Sequence, residues 1–168
     1  MTRKAIECPD PVIIFEPKRR YWLKGEVDFS DTSFDPFSAQ VVREGTDATI
    51  VAYGPLVPVA LAAAEAAVED GRSIEVIDLR SISPLDVPTV AASVAKTGRL
   101  IVAHEAPTFG GMGGELAAAI TERCFYSLQA PVIRVGGYYM PYPVSRVEEE
   151  YVPDIDRILE AVDRAFDY

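Results

Sequence analysis

Short apolar runs alternate with longer helical patterns from about residue 39 to the end of the chain. Five runs predict strands: residues 40–43, 49–53, 74–79, 100–103 and 132–135. The second run is continuous and rich in β-branched residues, which is typical of a strand buried on both faces, whereas Gln40–Arg43 alternates like an edge strand. Strands that alternate with helices indicate one α/β domain over residues 38–168, with a mainly parallel sheet covered on both faces.

Helix boundaries are marked by capping and terminating residues. Residues 56–69 are almost entirely Ala, Val and Leu and end at Asp70-Gly71. Asp86 is placed to cap a helix that has Pro88 in its first turn and stops at Gly98. Asp154 caps a final helix. The apolar face of that helix consists of Ile155, Ile158, Leu159, Val162 and Phe166.

Residues 1–37 lack this regular pattern and are predicted to form an N-terminal arm. Residues 12–15 are apolar and predict a short strand that Pro17 ends. A basic and aromatic patch follows, consisting of Lys18, Arg19, Arg20, Tyr21, Trp22 and Lys24. The next residues, 25–37, are polar and acidic without periodicity, so we interpret them as a linker.

Composition and charge narrow the classes of function. Sixteen Lys and Arg against 26 Asp and Glu give the 168 residues a net charge of −10. An acidic chain is repelled by nucleic acid and is better suited to bind a basic protein surface. Cys8 and Cys124 show neither metal-ligand nor disulfide spacing, which suits a reducing cytoplasm. No apolar run approaches the roughly 18 residues of a membrane span, and the first residues do not resemble a signal peptide.

A glycine-rich stretch after the fourth predicted strand is the first candidate site. It holds His104, Glu105, Gly110 and Gly111, and His104 is the only histidine in the chain. Glycines before a helix can cradle phosphate or can allow close packing of the helix on the sheet. The spacing fits neither the dinucleotide nor the P-loop pattern, which favours packing. His104 and Glu105 could form an acid–base pair, but strand neighbours point to opposite faces, which favours a structural histidine.

Three further groups could contact a ligand or a partner. Asp78 and Arg80 follow the third predicted strand, where they could bind a ligand or form an ion pair that fixes a loop or an interface. The segment from Tyr138 through Pro141 to Pro143 is aromatic and rigid, as interaction surfaces often are, or it covers its own core. Residues 148–168 carry eight acids and two bases, which is either a solvated helix face or a docking surface.

Several motifs together resemble one family. His104-Glu105-Ala106 with Gly110-Gly111 and Glu115 resembles the C-terminal domain of E1 β subunits of thiamine-diphosphate-dependent 2-oxoacid dehydrogenases. The same family is indicated by IFEPK at 14–18, VIDLRSISPLD at 76–86, KTGRL at 96–100 and APV at 130–132. The order and spacing of these motifs look most like the branched-chain enzymes. One position departs from the family, because Tyr139 stands where an aspartate is usual.

The resemblance implies a fold for this chain and places the cofactor on other parts of the complete enzyme. It implies a three-layer α/β/α domain with a five-stranded, mostly parallel sheet and one antiparallel edge strand, as in transketolase C-terminal domains. It also implies a preceding pyrimidine-binding domain, whose last strand would be residues 12–15. Thiamine diphosphate and Mg²⁺ belong to the complete enzyme, and we expect no catalytic, cofactor-binding or metal-binding residue on this chain. A potassium site of some relatives lies partly on a loop at residues 5–10, and we expect no metal there.

Partners and substrate follow from the same resemblance. It implies an E1 α subunit, a second E1 β subunit and the basic subunit-binding domain of E2, the last meeting Asp163, Asp167 and Tyr168. The whole enzyme would decarboxylate a branched-chain 2-oxoacid in the cytoplasm and acylate lipoyl-E2. The alternatives are E1 β of a pyruvate or acetoin dehydrogenase, and a free-standing, non-catalytic α/β interaction domain.

Overall fold

A five-stranded sheet forms the centre of the protein. The computed structural model describes residues 2–22, 24–25 and 35–168. The strands are β1 (Gln40–Arg43), β2 (Ala48–Ala52), β3 (Ile74–Asp78), β4 (Leu100–Pro107) and β5 (Ile133–Gly137). Their order across the sheet is β1-β3-β2-β4-β5, and only the β1–β3 pair is antiparallel. The predicted mostly parallel sheet with one antiparallel edge strand is therefore confirmed.

Helices cover both faces of this sheet. In chain order they are α1 (Thr2–Glu7), α2 (Leu56–Ala66), α3 (Val87–Thr97), α4 (Met112–Cys124), α5 (Glu148–Tyr151) and α6 (Ile155–Phe166). The sheet face that carries Ile50 and Ala103 packs on α2 and α6, and the face that carries Val51 and Val102 packs on α3 and α4. Adjacent strand residues serve opposite cores because strand side chains alternate. The three-layer α/β/α arrangement is thus confirmed.

The predicted caps form as expected. The Asp86 side chain accepts a hydrogen bond from the Thr89 N–H at the start of α3, and Gly98 ends that helix with φ +72°. The Asp154 side chain accepts from the Arg157 N–H at the start of α6. Each cap satisfies a backbone donor that has no partner within its helix.

Two strands are longer than the sequence predicts. β4 continues through Pro107 because Pro107 lies in register with Gly137 of β5, so His104 belongs to the strand and not to a turn. For the same reason β5 includes Gly136 and Gly137, which the sequence analysis places after the strand. Glycine and proline weaken strands locally, but pairing with a neighbouring strand overrides that tendency here.

The strand predicted at residues 12–15 is wrong. Residues 11–17 adopt neither helix nor strand, and Ile13 and Phe15 are 80% and 85% exposed. A strand needs a hydrogen-bonded neighbour, and these residues join no sheet within the described part of the chain. Part of the expected loop at residues 5–10 is helical, because α1 extends to Glu7. The predicted linker falls mostly on residues 26–34, which lie outside the described residues.

A buried polar network that the sequence analysis missed joins β2, β3 and α3. Glu75 is 1% exposed and accepts hydrogen bonds from Ser93 and from Lys96. The Thr49 hydroxyl lies 2.6 Å from Ser93 Oγ and 2.7 Å from Thr97 Oγ1. Although burial opposes ionisation, the hydrogen bonds from Lys96 and Ser93 hold the pKa of Glu75 below its usual value.

Candidate functional site at the carboxyl end of the sheet

The carboxyl ends of β2 and β4 form the topological switch point of the sheet. β2 and β4 are neighbours in the sheet. After β2 the chain crosses through α2 to β3 on one side, and after β4 it crosses through α4 to β5 on the other side, so the two connections run in opposite directions. In open α/β sheets this crevice is the usual ligand position. Here it is bordered by Pro55 after β2 and by His104 and Glu105 of β4.

His104 is buried and has both ring nitrogens engaged. Its Nε2 accepts the Gly113 N–H at 3.2 Å, so the proton lies on Nδ1, which donates to the Ala106 carbonyl at 2.8 Å. The imidazole thereby satisfies an N–H in the first turn of α4. Burial lowers the pKa of His104 below its ordinary value. A neutral ring that is 0% exposed can join β4 to α4, but it cannot reach a ligand.

The glycines of this region make room for that imidazole. A Cβ on Gly113 would lie 2.6 Å from His104 Nε2, and one on Gly111 would lie 2.7 Å from His104 Cε1. From β5, a Cβ on Gly136 would lie 3.1 Å from the same Cε1 atom. Gly110 has no such contact and instead adopts φ +71° in the exposed turn. The arrangement supports the packing interpretation of the glycines and leaves no cradle for phosphate.

Glu105 lies on the opposite face, as strand alternation requires. It lines a cavity of about 340 Å³ at the switch point together with Pro55, Glu149 and Asp154. Arg20 of the N-terminal arm also lines this cavity, and its guanidinium donates to the Pro55 carbonyl at 2.6 Å. The arm therefore contacts the usual ligand position, and the carboxylates around it disfavour an anion. The basic patch is visible in the sequence, but no sequence signal shows where Arg20 binds.

Asp78 and Arg80 fix a loop at the antiparallel edge. The Asp78 carboxylate accepts the Arg80 backbone N–H at 3.0 Å, and burial raises the pKa of Asp78. The Arg80 guanidinium donates to the Asp35 carbonyl at 3.2 Å and to the Gln40 side chain. These contacts join the end of β3 to the segment that enters β1. The geometry supports the loop-fixing alternative over a ligand site.

Exposed aromatic side chains gather near the carboxyl ends of β4 and β5. We call Phe109, Tyr138, Tyr139, Met140 and Tyr142 the aromatic surface; each is more than half exposed. Phe109 and Tyr139 come from different loops and meet edge to face, with ring centroids 4.8 Å apart.

Arg157 and Tyr151 support this surface from below, and the sequence analysis did not single out either of them. Arg157 stacks on Tyr138 at 4.7 Å and donates to the Gly136 carbonyl. Tyr151 is buried and contacts the ring of Tyr142 at 5.0 Å between centroids. Pro141 is exposed, and the loop packs only partly over the core.

The acidic C-terminal residues differ in how accessible they are. Asp163 forms an ion pair with Arg72. The guanidinium carbons of Arg72 and Arg99 lie 4.6 and 4.5 Å from the centroid of the Phe166 ring. Asp167 and Tyr168 are exposed beyond the end of α6. Asp163 thus already helps to hold α6 on the domain, whereas Asp167 and Tyr168 face solvent.

The described residues contain neither a metal-binding cluster nor a membrane-spanning helix. Within them, no three His, Cys, Asp or Glu side chains are grouped so that they could hold a metal ion. None of the helices described is long and apolar enough to cross a membrane.

Comparison with known families identifies the fold. Residues 38–158 match the model of the transketolase C-terminal domain. A chain of a split-gene transketolase, described as an inactive β4 tetramer, superimposes with a TM-score of 0.69 at 30% identity; the match covers 85% of this chain and 46% of that one. The chain belongs to the transketolase C-terminal domain family.

The most informative relatives are E1 β subunits. The chain is 55% identical over its whole length to a pyruvate dehydrogenase E1 component subunit β of Leifsonia xyli, covering 50% of that protein. It is 50% identical over 98% of its length to a 3-methyl-2-oxobutanoate dehydrogenase subunit β of Mycobacterium tuberculosis, covering 47% of that protein. The motif-based resemblance to E1 β subunits is confirmed, and the chain spans about half the length of these relatives.

Proposed function

We propose that the chain is the C-terminal half of the β subunit of a 2-oxoacid dehydrogenase E1 component. The observation that carries the proposal is the 55% and 50% identity to E1 β subunits over essentially the whole chain. Its role in that enzyme is assembly: the domain presents surfaces to an E1 α subunit, to a second β subunit and to E2. The aromatic surface, which is exposed although it is apolar, supports this role.

Thiamine diphosphate does not fit the glycine-rich turn of this chain. The Gly113 N–H that could meet a diphosphate donates to His104, and the imidazole fills the space beside Gly111 and Gly113. The cavity at the switch point is lined by three carboxylates, those of Glu105, Glu149 and Asp154, against the single guanidinium of Arg20, and this negative balance disfavours an anion. The proposal therefore leaves cofactor binding to other parts of the complete cytoplasmic enzyme.

For the substrate we propose a branched-chain 2-oxoacid such as 3-methyl-2-oxobutanoate. The motif pattern supports this substrate, and so does the name of the mycobacterial relative. Pyruvate is the second candidate, because the relative with 55% identity is named a pyruvate dehydrogenase subunit.

Two measurements test the function. Mass spectrometry of the native subunit should give roughly twice the 18.3 kDa of this chain, because the relatives are twice as long. A native subunit of 18.3 kDa would favour the free-standing interaction domain. The native subunit, purified with its E1 α partner, should reduce an artificial electron acceptor with 3-methyl-2-oxobutanoate faster than with pyruvate; the reverse order would assign the second candidate substrate.

A calorimetric titration tests the isolated chain. Thiamine diphosphate with Mg²⁺ should produce no heat beyond dilution, because the His104 imidazole fills the space beside Gly111 and Gly113. Micromolar binding would contradict the assembly role.

We also propose that the C-terminal residues attract the basic E2 subunit-binding domain. Exposed charges are screened over a Debye length of about 8 Å, so binding should be weak and should weaken further with salt. Asp167→Asn should slow association without altering stability. Asp163→Asn should slow association and also lower stability, since Asp163 also pairs with Arg72. Binding that is unchanged at low salt in both variants would leave these acids as a solvated face.

A further inference from the structure

Two arginines from separate connections hold the last turn of α6. Arg72 precedes β3 and Arg99 precedes β4, and both guanidinium groups lie over the ring of Phe166, the last residue of the helix. The Arg99 Nε also donates to the Ala165 carbonyl at 2.9 Å, and its Nη1 donates to Gln129 Oε1 at 2.6 Å. We call Arg72, Arg99 and Phe166 the arginine clamp. It joins the end of α6 to the connections that enter two strands of the sheet.

The charge of the arginine clamp is opposite to the charge of the surface around it. Arg72 forms an ion pair with Asp163, and Asp167 follows Phe166 directly in the chain. By Coulomb's law, a cation at this place weakens the attraction of these acids for a basic partner. The same cations suit the carboxyl end of a helix, where they interact favourably with the helix dipole and the last carbonyls. The clamp therefore serves the geometry of this surface and not its charge.

The clamp controls the residues that follow it. Asp167 keeps nearly helical dihedral angles, φ −76° and ψ −8°, and its side chain is exposed. The last carbonyls of a helix have no partner within the helix, and Arg99 supplies one for Ala165. A group that is already held in place loses less conformational freedom when a partner binds it. Asp167 is thus presented in one direction by contacts that lie behind it.

We infer that the arginine clamp positions Asp167 and Tyr168 for docking of the basic E2 subunit-binding domain. The clamp residues act through the last turn of α6 and do not need to touch the partner. The inference rests on the proposed function for the identity of that partner. It goes beyond the proposed function, because it assigns a favourable role in docking to two cations that a charge count alone places against it.

The sign of a binding change separates positioning from charge. Surface plasmon resonance at low salt measures binding of the E2 subunit-binding domain to variants of the chain. Arg99→Gln removes a positive charge, so an effect of charge alone would tighten binding. Loss of positioning should instead weaken binding at least about threefold, mainly through faster dissociation. Arg164→Gln removes an exposed arginine of α6 outside the clamp; as the matched control, it should tighten binding through faster association.

Phe166→Leu tests the clamp without any change of charge. Leucine keeps an apolar side chain against the core but offers no ring to the two guanidinium groups, so binding should again weaken at least about threefold. Phe166→Tyr keeps the ring and should restore the binding that leucine loses. Nuclear magnetic resonance relaxation gives a measurement that needs no partner. The backbone order parameter of Asp167 should fall from about 0.8 in the unmodified chain to below about 0.6 in Phe166→Leu.

Three results would overturn the inference. They are Arg99→Gln binding at least as tightly as the unmodified chain, folded Phe166→Leu binding normally, and an unchanged order parameter of Asp167 in Phe166→Leu. Circular dichroism verifies the fold of each variant, and either variant carries the test if the other fails to fold. An unmodified chain that does not bind would refute the docking proposal together with this inference, whereas any of the three results beside normal binding of the unmodified chain refutes the inference alone.

Discussion

Replacing two adjacent glycines in the first turn of α4 by alanine should have opposite effects on stability. A Cβ on Gly113 would lie 2.6 Å from His104 Nε2 and 3.1 Å from its Cδ2. A Cβ on Gly114 would meet only Arg134 Nη1 at 3.5 Å, an ordinary contact. Both residues are helical, so alanine offers each the same relief of backbone entropy.

The magnitudes follow from these contacts. Alanine in a helix gains up to about 1 kcal/mol over glycine, so Gly114→Ala should raise the free energy of unfolding by at most that amount. In Gly113→Ala the imidazole must move, which adds about 2 kcal/mol of overpacking strain. The movement also lengthens the Gly113–His104 hydrogen bond, at a cost of about 1 kcal/mol. The net loss for Gly113→Ala is about 2 kcal/mol.

Thermal unfolding measures the stability of both variants. For a chain of this length the melting temperature should fall by about 4–8 °C in Gly113→Ala and rise by up to about 4 °C in Gly114→Ala. In a His104→Ala background, where the ring is absent, Gly113→Ala should no longer destabilise. The reasoning is refuted if Gly113→Ala is as stable as Gly114→Ala, or if its cost persists without the imidazole.

Three further variants test other contacts. Because burial lowers the pKa of His104 in the folded protein, the unfolded state takes up a proton at a higher pH than the folded state. The free energy of unfolding should therefore be constant above about pH 6.5 and fall below it, by at most about 1.4 kcal/mol per pH unit. Denaturant titrations should show this slope vanishing in His104→Gln, and a slope that persists would point to another group. Glu75→Ala removes the buried acceptor of the Ser93 and Lys96 hydrogen bonds and should cost about 2 kcal/mol. The exposed Glu44→Ala should stay within about 0.5 kcal/mol in the same titrations. Arg20→Ala removes the contact with Pro55 and should speed thermolysin cleavage of the arm, with exposed Lys18→Ala as control; equal rates would show that Arg20 does not hold the arm.

Local features of the sequence predicted most of the elements of the domain. The continuous, β-branched run at residues 49–53 predicted β2, because a strand that is buried on both faces is mostly apolar at successive positions. Asp86 and Asp154 marked the starts of α3 and α6, since a cap depends only on the next three residues. The same logic failed at residues 12–15, where an apolar run exists but no neighbouring strand pairs with it among the described residues.

The resemblance to E1 β subunits also came from the sequence, through the order of several short motifs. Neither that resemblance nor the local patterns could assign the contacts of single side chains. From the sequence alone, His104 could be an acid–base group or a structural residue. Asp78 and Arg80 could likewise form a ligand site or an ion pair that fixes a loop or an interface. Each choice depends on which atoms lie within hydrogen-bond distance.

Only the tertiary structure decided these contacts, because they join residues that are far apart in the chain. His104 meets α4 and Gly136 only because β4 lies between β2 and β5. Glu75 is buried with Ser93 because α3 crosses that face of the sheet, and Phe109 meets Tyr139 because the ends of β4 and β5 are neighbours. Strand order is set by how the two cores pack as a whole, so no local pattern of residues encodes it.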